Sequence, residues 1–354
     1  MSHSYNVAII GAGIGQAHAE AYHQLADRFS VSVVCDIDKP RAQTIADTLP
    51  NCRVTDDINT ILTDPDISVI DICLPPHLHL DFCLKALAAG KHVVCEKPLV
   101  SSLAEADKLA GAVAEAPGSL FPVFQYRYGL GATQMKALID DGIAGTPFVG
   151  TLETHWNRDA AYYEPEWRGT WKGESGGAIL GHAIHIHDWL NFIFGPVASV
   201  YAELATRVNT IEVEDCGSLT IRMQSGALVT SSITLGAAND TSRLRFCFEG
   251  LTAESGSAPY TPAEDTWTFI ARAPQSQSKI DKLLSNIEPT PGGYVGLFNA
   301  IANALDGDAS SAVLLEDGRR SLEFVTAVYS SARTGRPVEL PLQSSHPLYD
   351  NWVP

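Results

Sequence analysis

Residues 6–15 read NVAIIGAGIG, and this stretch decides the fold of the first half of the chain. Asn6 to Ile10 is a short apolar run rich in β-branched residues, which is typical of a buried strand. Glycines at positions 11, 13 and 15 follow it, and a helical pattern then runs from Gln16 to Ala26. Glycines between a strand and a helix let the backbone approach a pyrophosphate, whose charge then lies at the helix N-terminus. The stretch therefore predicts the first βα unit of a dinucleotide-binding domain.

Asp36 supplies the acidic residue that completes this pattern. A second apolar run, Val31 to Cys35, ends directly before Asp36, which lies 25 positions after Gly11. A carboxylate there accepts hydrogen bonds from the adenosine ribose hydroxyls and repels a 2′-phosphate. Arg41 offers an alternative, because an arginine near the acid can receive that phosphate. We place Arg41 in the first turn of the next helix, so NAD is favoured over NADP.

The glycine spacing departs from the usual pattern. The glycines fall as G-x-G-x-G, so Gln16 occupies the position where G-x-G-x-x-G has its third glycine or alanine. We therefore expect a shorter turn that still holds the cofactor. The residues predicted to contact the cofactor in this region are Gly11, Gly13, Ile14, Gly15, Asp36 and Arg41.

Strands and helices continue to alternate after Asp36. Strands are predicted at Ser68–Leu74, His92–Cys95 and Leu120–Phe124, and a helix is predicted at Leu78–Ala89. Ser102 and Glu105 form a capping box, which starts a further helix that runs to about Ala114. Repeated strand–helix units indicate a parallel, doubly wound sheet. We predict an α/β Rossmann domain over residues 1–122.

The second half of the chain has a different pattern. Runs that alternate apolar and polar residues lie at Val197–Ala205, Ser218–Met223, Ala227–Thr234 and Arg243–Glu249, with a turn signal at Gln224-Ser225-Gly226. Consecutive strands with short turns make an antiparallel sheet. Helical patterns return at Val295–Leu305 and Glu316–Thr334. We predict an α+β domain over residues 123–354 with a mostly antiparallel open sheet.

Composition limits the classes of function. The 354 residues suffice for about two domains, and the formal net charge is −17. Such a charge repels phosphate backbones and anionic lipid, so we expect no nucleic-acid partner and no membrane association. Seven cysteines are scattered without a C-x-x-C pair, which indicates reduced thiols. With no signal-peptide pattern before the first apolar run, we expect a cytoplasmic protein.

The tripeptide Glu96-Lys97-Pro98 follows the strand predicted at His92–Cys95. It lies at the carboxyl edge of the parallel sheet, where ligands of open α/β folds bind. The segment after the neighbouring strand is predicted to line the nicotinamide ribose, although His79 there has the alternative role of a helix-start residue. The cofactor site is therefore predicted to include Leu74, Pro75, His79, Glu96 and Lys97.

The segment from Gly181 to Trp189 contains three histidines, which invites a metal-site interpretation. At about 100° per residue of an α-helix, His187 points roughly 200° away from His185. No nearby Cys or Glu completes a ligand set, so we expect no metal. In a regular helix, His182, His185 and Trp189 share one face. His182 then either packs near Trp189 or contacts substrate, and His187 is expected to be a packed residue.

Aromatic and guanidinium side chains are concentrated in three further segments, at 125–128, 155–158 and 166–171. Sugars are bound by aromatic faces and by bidentate polar groups, so these segments are candidate pocket walls. A structural carboxylate is the alternative partner for Arg127, and a subunit interface is the alternative role of the tryptophan-rich segments. The predicted substrate residues are Tyr126, Arg127, Arg158, Trp167, Arg168, His182 and Asp188.

Three motifs give the chain a family resemblance. Gly-Ala-Gly at 11–13, the string AGKHVVCEKP at 89–98, and Gly176-Gly177 followed by His185-x-x-Asp188 resemble the Gfo/Idh/MocA oxidoreductases. That family includes glucose–fructose oxidoreductase and inositol dehydrogenases, and residues 316–341 are similar to its C-terminal helix and tail. The resemblance implies a Rossmann domain followed by a domain with a large, mostly antiparallel sheet. The outer face of that sheet commonly serves oligomerisation, so a homo-oligomer (dimer or tetramer) is implied.

The resemblance also implies a chemistry. Lys97 and His185 match the active-site lysine and histidine of the family. Members with a Lys–Asp–His trio carry an aspartate four residues before the histidine, and this chain has Gly181 there, with His182 beside it. Family substrates are typically sugars, cyclic polyols or their derivatives, oxidised or reduced at a ring carbon with NAD(H) or NADP(H).

Together these observations predict an NAD(P)-dependent dehydrogenase that acts on a sugar, cyclic polyol or sugar acid. A histidine titrates near neutrality, so His185 is the expected base, and the Lys97 ammonium is expected to hydrogen-bond the developing alkoxide. Two alternatives stay open. An enzyme that retains its NAD can oxidise a sugar transiently so that an adjacent bond is eliminated or hydrolysed. A non-catalytic NAD-binding sensor on the same fold is the other.

Overall fold

Six parallel strands form the first sheet of the computed structural model, which describes residues 4–354. The strand order is β3-β2-β1-β4-β5-β6, so the direction of winding reverses between β1 and β4. This is the doubly wound order, and its ligands bind outside the carboxyl ends of the strands at that reversal. The strands are β1 (Tyr5–Ile10), β2 (Phe29–Cys35), β3 (Arg53–Thr55), β4 (Val69–Ile72), β5 (His92–Cys95) and β6 (Leu120–Pro122).

Helices connect these strands, and their ends follow local sequence signals. They are α1 (Gly15–Gln24), α2 (Lys39–Ala46), α3 (Asn59–Leu62), α4 (Pro76–Ala88) and α5 (Leu103–Glu115). The Ser102 hydroxyl accepts the Glu105 N–H at 3.2 Å and caps α5, as the capping box predicts. After α4, Gly90 adopts a left-handed conformation with φ of +75°. The predicted α/β domain with a parallel sheet is confirmed.

An eight-stranded sheet forms the core of the second unit, in the order β13-β12-β11-β7-β10-β9-β8-β14. Only β7 and β10 pair in parallel among these described strands, so the predicted mostly antiparallel sheet is confirmed. The strands are β7 (Pro147–Asn157), β8 (Val197–Ala205), β9 (Cys216–Met223), β10 (Leu228–Thr234), β11 (Gly236–Phe248), β12 (Leu251–Glu254), β13 (Thr268–Ala271) and β14 (Val338–Glu339).

The α-helices after α5 are α6 (Leu130–Asp140), α7 (Trp171–Glu174), α8 (Ile184–Phe194), α9 (Gln277–Leu284), α10 (Gly293–Leu305) and α11 (Leu315–Thr334). Of these, α8 packs on one face of the sheet, whereas α10 and the start of α11 belong to the first unit. Nearly every residue of α8 is buried, and Phe194 at its end packs against Phe246 and Phe248. On the other face, alternate residues such as Val149, Leu228 and Ile270 are exposed.

Residues 294–320 pack with the first unit, together with the residues up to Phe124. The Arg28 guanidinium reaches this segment, with bonds to Asn299, Asn303 and Asp306 of 2.9–3.2 Å. The division by sequence at 122/123 assigns the segment to the second domain. Its docking depends on contacts between residues more than 270 positions apart, which no local pattern encodes.

No helix within residues 4–354 combines the length and the apolar character that crossing a bilayer requires.

Candidate active site

The glycine turn after β1 lies against the backbone that follows β4. Gly11 has φ of +105°, and a Cβ on it would stand 2.3 Å from the carbonyl oxygen of Cys73. Gly15 begins α1, and a Cβ there would stand 2.8 Å from Ile9 Cγ2. No side chain fits at either position, so both glycines are needed for the close approach. The turn therefore lies where the strand order reverses, and Ile14 at its tip is 44% exposed.

Asp36 and Arg41 flank this turn. The Asp36 carboxylate accepts the Ala12 N–H at 2.6 Å and the Asp38 N–H at 2.8 Å, so it holds the glycine turn to the end of β2. Arg41 lies in the first turn of α2, as predicted. Its guanidinium Nη2 would be 3.4 Å from a Cβ on Gly13. An anionic and a cationic side chain therefore both stand beside the predicted adenosine site.

His79 is enclosed within α4. Its Nδ1 lies 2.8 Å from the Pro98 carbonyl oxygen and its Nε2 2.8 Å from the Leu74 carbonyl oxygen. Burial lowers the pKa of this imidazole, and the hydrogen bonds to the two carbonyl oxygens act in the opposite direction. His79 therefore ties the loop after β4, which holds Leu74 and Pro75, to the loop after β5. Direct contact of these three residues with a cofactor stays a prediction.

Glu96 and Lys97 follow β5. The Glu96 carboxylate is buried, and its Oε2 accepts the backbone N–H of Lys97 at 3.0 Å. The Lys97–Pro98 peptide bond is cis. The side chain of Lys97 is half-buried. Glu96 was predicted to contact the cofactor, and the structure shows its carboxylate inside the first unit, where it fixes the backbone of Lys97.

His18 is the main residue of this region that the sequence patterns did not reveal. It lies on the buried face of α1, fully enclosed. Its Nδ1 is 2.8 Å from Asp71 Oδ2, and its Nε2 is 3.1 Å from Glu96 Oε1. The available signal was Asp71 itself, because a charged residue inside an apolar strand requires a buried partner.

His18, Asp71 and Cys73 also bring three ligand-type atoms within 4.8 Å of one another. A metal would require the Cys73 thiolate. Burial, followed by the charge of Asp71, raises the pKa of this thiol to about 12 when no metal is bound. The 2.8 Å separation of His18 and Asp71 is a hydrogen-bond length. The arrangement is an imidazole–carboxylate network.

In the second unit, a π-helical turn at Ile179–Ala183 precedes α8. The prediction that His182, His185 and Trp189 share one face assumed a regular α-helix across all three, and it is corrected here. α8 begins only at Ile184, so His182 belongs to the π turn. Its ring Nε2 lies 3.4 Å from the Tyr162 hydroxyl, and its edge faces Trp156. Such π turns are frequent at functional sites.

His185 stacks on Tyr126. The ring centroids are 4.2 Å apart and the planes differ by 18°. Trp189 donates its indole N–H to the Tyr126 carbonyl oxygen, so Tyr126 is fixed to α8 at two points. His185 is only 4% exposed, and the stacking restricts the rotation of its ring.

Arg127 and Asp188 bind each other. Arg127 Nε lies 2.6 Å from Asp188 Oδ2, and Nη2 lies 2.5 Å from Oδ1. Both side chains are nearly inaccessible, at 8% and 3% exposure. Of the two partners open for Arg127, the structure shows the structural carboxylate. This bidentate pair anchors α8 three residues after His185.

His187 is a packed residue, as expected. Its Nε2 lies 3.0 Å from the Ser231 hydroxyl, and its ring edge faces Phe324. Burial lowers the pKa of His187 to about 3, so the ring is neutral across the physiological range.

Arg158 and Arg168 stand over aromatic rings. Arg158 lies 5.0 Å from the Trp156 ring centre and is bound to Asp240 at 3.0 Å. Arg168 lies 4.6 Å from the ring centre of Trp167, and its Nη1 is 3.7 Å from a Glu174 oxygen. Both guanidinium groups have a carboxylate partner, and Trp167 is 43% exposed. These aromatic and guanidinium groups were predicted from composition, whereas the acidic partner Asp240 was not.

Glu214 supports the start of the π turn and was also not predicted. Its buried carboxylate accepts the Gly177 N–H at 3.1 Å, the Ile179 N–H at 3.0 Å and the Tyr329 hydroxyl at 3.0 Å. Burial raises the pKa of Glu214 to about 7, although these donors act in the opposite direction.

Two family models match the chain. The first is described as "Oxidoreductase family, NAD-binding Rossmann fold" and matches residues 5–123. The second is described as "GFO/IDH/MocA C-terminal domain" and matches residues 132–254. Together they span both units and more than half of the chain.

Curated relatives and solved structures are similar over nearly the whole length. The scyllo-inositol 2-dehydrogenase (NADP+) of Bacillus subtilis strain 168 is 25% identical over 94% of this chain and 95% of its own. The D-glucoside 3-dehydrogenase of Escherichia coli K12 is 25% identical over 94% and 97%. The WlbA dehydrogenase of Bordetella pertussis, solved with NADH and UDP-GlcNAcA, is 27% identical over 96% and 100%, with a TM-score of 0.84.

We expect Glu214→Gln to flatten the pH dependence of stability. A carboxyl whose pKa is raised from 4.5 to about 7 stabilises the folded state while protonated, and that contribution is lost as pH rises through about 7. The loss for the unmodified chain is about 3 kcal/mol across this window. Denaturant unfolding between pH 4.5 and 8 measures it, with the exposed Glu288→Gln as control. Parallel profiles for the unmodified chain and Glu214→Gln would contradict the assignment.

Proposed function

The chain belongs to the Gfo/Idh/MocA family of oxidoreductases, and we propose that it transfers a hydride between a nicotinamide and a ring carbon of a sugar or cyclic polyol. The observation that carries the proposal is the arrangement in the first unit. There the glycine turn lies in close contact with the backbone after β4, and Lys97 follows β5, the neighbouring strand of the same sheet. The names of the relatives, an inositol and a glucoside dehydrogenase, support this substrate class.

The residues at the glycine turn fit a dinucleotide. A Cβ on Gly13 would meet only the flexible end of Arg41, at 3.4 Å, so the turn is open on that side. Gly11, Gly13, Ile14 and Gly15 offer backbone to a pyrophosphate at the start of α1. When bound, the nicotinamide accepts or donates the hydride. We assign Leu74 and Pro75 to its ribose, and His79 and Glu96 to the support of the loops that carry them.

We assign the proton transfer to His185 and the stabilisation of the substrate oxygen to Lys97. The stacked Tyr126 ring keeps the His185 imidazole in one orientation, and a fixed base needs less reorganisation. The Glu96 carboxylate fixes the backbone of Lys97, so its ammonium extends from a constrained point. Such a preorganised donor is suited to a developing alkoxide.

The arginine contacts favour a neutral substrate over a sugar acid. Arg127, Arg158 and Arg168 each have a carboxylate partner within the second unit. Three arginines near one site are the sequence feature that would favour an acidic sugar, and internal ion pairs account for all three. We assign Arg127 and Asp188 to the positioning of α8, and His182, Tyr126, Arg158, Trp167 and Arg168 to the substrate region.

We also propose that the protein is a homo-oligomer, a dimer or tetramer, in the cytoplasm. One face of the eight-stranded sheet is open and carries Val149, Leu228 and Ile270 at 47–59% exposure. An exposed apolar surface of this kind suits a contact between copies.

The cofactor preference is tested at Asp36. We expect Asp36→Ala to weaken NAD binding by about tenfold to a hundredfold, because hydrogen bonds to a charged group contribute roughly 1.5–3 kcal/mol. NADP binding should weaken less, since repulsion of its 2′-phosphate is also removed. Fluorescence titration with NADH and NADPH measures both. Asp36→Asn keeps an acceptor for the Ala12 N–H and so controls for collapse of the turn, and an unchanged preference in both variants would remove Asp36 from the cofactor site.

Gly181→Asp tests whether His182 has taken the place of the family carboxylate. A Cβ on Gly181 would have nothing within 4 Å, so the substitution meets no clash at its first side-chain atom. Its charge would pair with His182, and we expect kcat/KM to fall by about tenfold. Gly181→Asn has nearly the same size without the charge and should fall less. A rise in kcat/KM for Gly181→Asp would show that the carboxylate is missed.

A screen with NAD and NADP, each against sugars, inositols, uronates and aldonates, tests the proposed activity. We expect a neutral polyol or sugar to reduce NAD, and the near-ultraviolet absorbance of NADH measures this reduction.

Lys97→Ala should lower kcat by about 10²–10⁴-fold while NADH binding stays intact. The exposed Lys108→Ala should match the unmodified enzyme. Near-normal turnover of Lys97→Ala would refute its role. Tight NADH binding by calorimetry without turnover on any compound would favour the retained-NAD or sensor alternatives.

A further inference from the structure

The interior of the first unit holds a histidine between two carboxylates. His18 has no exposed surface, and Asp71 has none either. Glu96, the second carboxylate, is 6% exposed. Burying charged groups costs free energy of desolvation unless hydrogen-bonded partners surround them. The cluster therefore calls for a functional explanation.

Both nitrogens of the His18 ring face carboxylate oxygens. Nδ1 faces Asp71 Oδ2 at 2.8 Å and Nε2 faces Glu96 Oε1 at 3.1 Å. An ionised carboxylate only accepts hydrogen bonds, so a ring that bonds to two of them carries a proton on each nitrogen. Burial is the largest single contribution and disfavours the charged ring, but the contributions of Asp71 and Cys73 together outweigh it and raise the pKa of His18 well above 6.5. His18 is therefore an imidazolium at neutral pH.

The two oxygens of Glu96 have different partners. Oε1 accepts the His18 Nε2–H, and also the Tyr294 hydroxyl at 3.2 Å. Oε2 accepts the backbone N–H of Lys97 at 3.0 Å. One carboxylate therefore connects the imidazolium on α1 to the peptide group that begins the Lys97 residue.

Aromatic rings fix the orientation of the imidazolium. The Tyr294 ring centre lies 4.5 Å from that of His18, and the Phe298 ring centre lies 5.2 Å from it. Tyr22, one turn further along α1, stacks on Phe298 at 3.9 Å. The ring therefore cannot rotate freely, and both of its donors are held in direction.

We propose that His18 is a positioning residue for Lys97, acting through the Glu96 carboxylate. The imidazolium and the Tyr294 hydroxyl hold Oε1, and this orients Oε2 toward the Lys97 N–H. The proposal rests on the role assigned to Lys97 above. A purely structural role for His18 would predict a loss of stability, with no selective effect on the backbone of Lys97.

A pair of isosteric variants separates the two donors of His18. The amide nitrogen of an asparagine occupies approximately the place of Nδ1, and that of a glutamine approximately the place of Nε2. His18→Asn therefore keeps the link to Asp71 and loses the link to Glu96, whereas His18→Gln keeps the link to Glu96. Both variants lose the positive charge, so they are matched in that respect.

We expect His18→Asn to lower kcat by about 10–100-fold, since misplacement of a catalytic group by about 1 Å can cost 10²-fold. KM and the dissociation constant of NADH should change by no more than about threefold. His18→Gln should retain turnover within about fivefold of the unmodified enzyme. Turnover is measured on the most active alcohol of the screen, and NADH alone is the binding probe.

Hydrogen exchange of the Lys97 amide gives a readout that needs no turnover. We expect this amide to exchange faster in His18→Asn than in His18→Gln. NMR, or mass spectrometry of a peptide that contains the amide, measures the exchange. Leu109→Ala removes a fully buried side chain from α5 and controls for general destabilisation. It should leave the exchange of the Lys97 amide and kcat near those of the unmodified enzyme.

Tyr294→Phe keeps the test valid if the His18 variants do not fold. It removes a single hydroxyl from Oε1 and preserves the ring that packs on His18. We expect a smaller fall in kcat, about two- to tenfold, with faster exchange of the Lys97 amide.

The outcomes are distinguishable. Equal turnover and equal Lys97 amide exchange in His18→Asn and His18→Gln would overturn the inference. An inactive Lys97→Ala together with a fully active His18→Asn would overturn it while the proposed function stands. Near-normal turnover of Lys97→Ala would overturn the catalytic role of Lys97, and the positioning role of His18 with it.

Discussion

The first unit depends on a carboxylate that is buried inside a parallel sheet. Asp71 lies in β4, next to β1, with no exposed surface. A charge at this position is tolerated only with a partner, and His18 on α1 supplies it at 2.8 Å. The helix that begins at the glycine turn is thereby tied to the central strand, and Gly11 rests on the backbone two residues after Asp71. The ion pair and the close approach therefore define the same edge of the sheet.

The edge of the sheet also shows how the charges of this unit are arranged. The imidazolium of His18 has a carboxylate on each side, and the second carboxylate continues to the backbone of Lys97. His79 makes a parallel connection, because it joins the loops after β4 and β5 through their carbonyl oxygens. His18 and His79 thus hold the segments that the motifs identify. The motif residues are the ones proposed to contact ligands, and residues between the motifs set their positions.

Local patterns predicted the architecture well where the signals are local. The strands at His92–Cys95 and Val197–Ala205 have the predicted bounds, and the Ser102 cap begins its helix as expected. β7 was missed, because the buried positions of its middle part include Gly150 and Thr154, which break the apolar alternation, and because its neighbours β10 and β11 lie more than 70 positions away. In the site, glycines, acids and lysines carry recognisable spacing. His18 has no such spacing, because its partners lie in β4 (Asp71) and directly after β5 (Glu96). The π turn at 179–183 also altered the common face that was predicted for His182 and His185.

Ion pairing inside the second unit bears on what the protein can recognise. From the sequence, Arg127, Arg158 and Arg168 are cations that an anionic ligand could bind. In the structure each of them has a carboxylate partner, which is Asp188, Asp240 and Glu174 respectively. A guanidinium that is already paired still offers its flat face and remaining N–H groups, which suit hydroxyls and ring C–H surfaces better than a second carboxylate. The exposed Trp167 ring adds an apolar platform beside them. Together with a net charge of −17, this arrangement supports the proposal of a neutral polyhydroxy substrate over an acidic one.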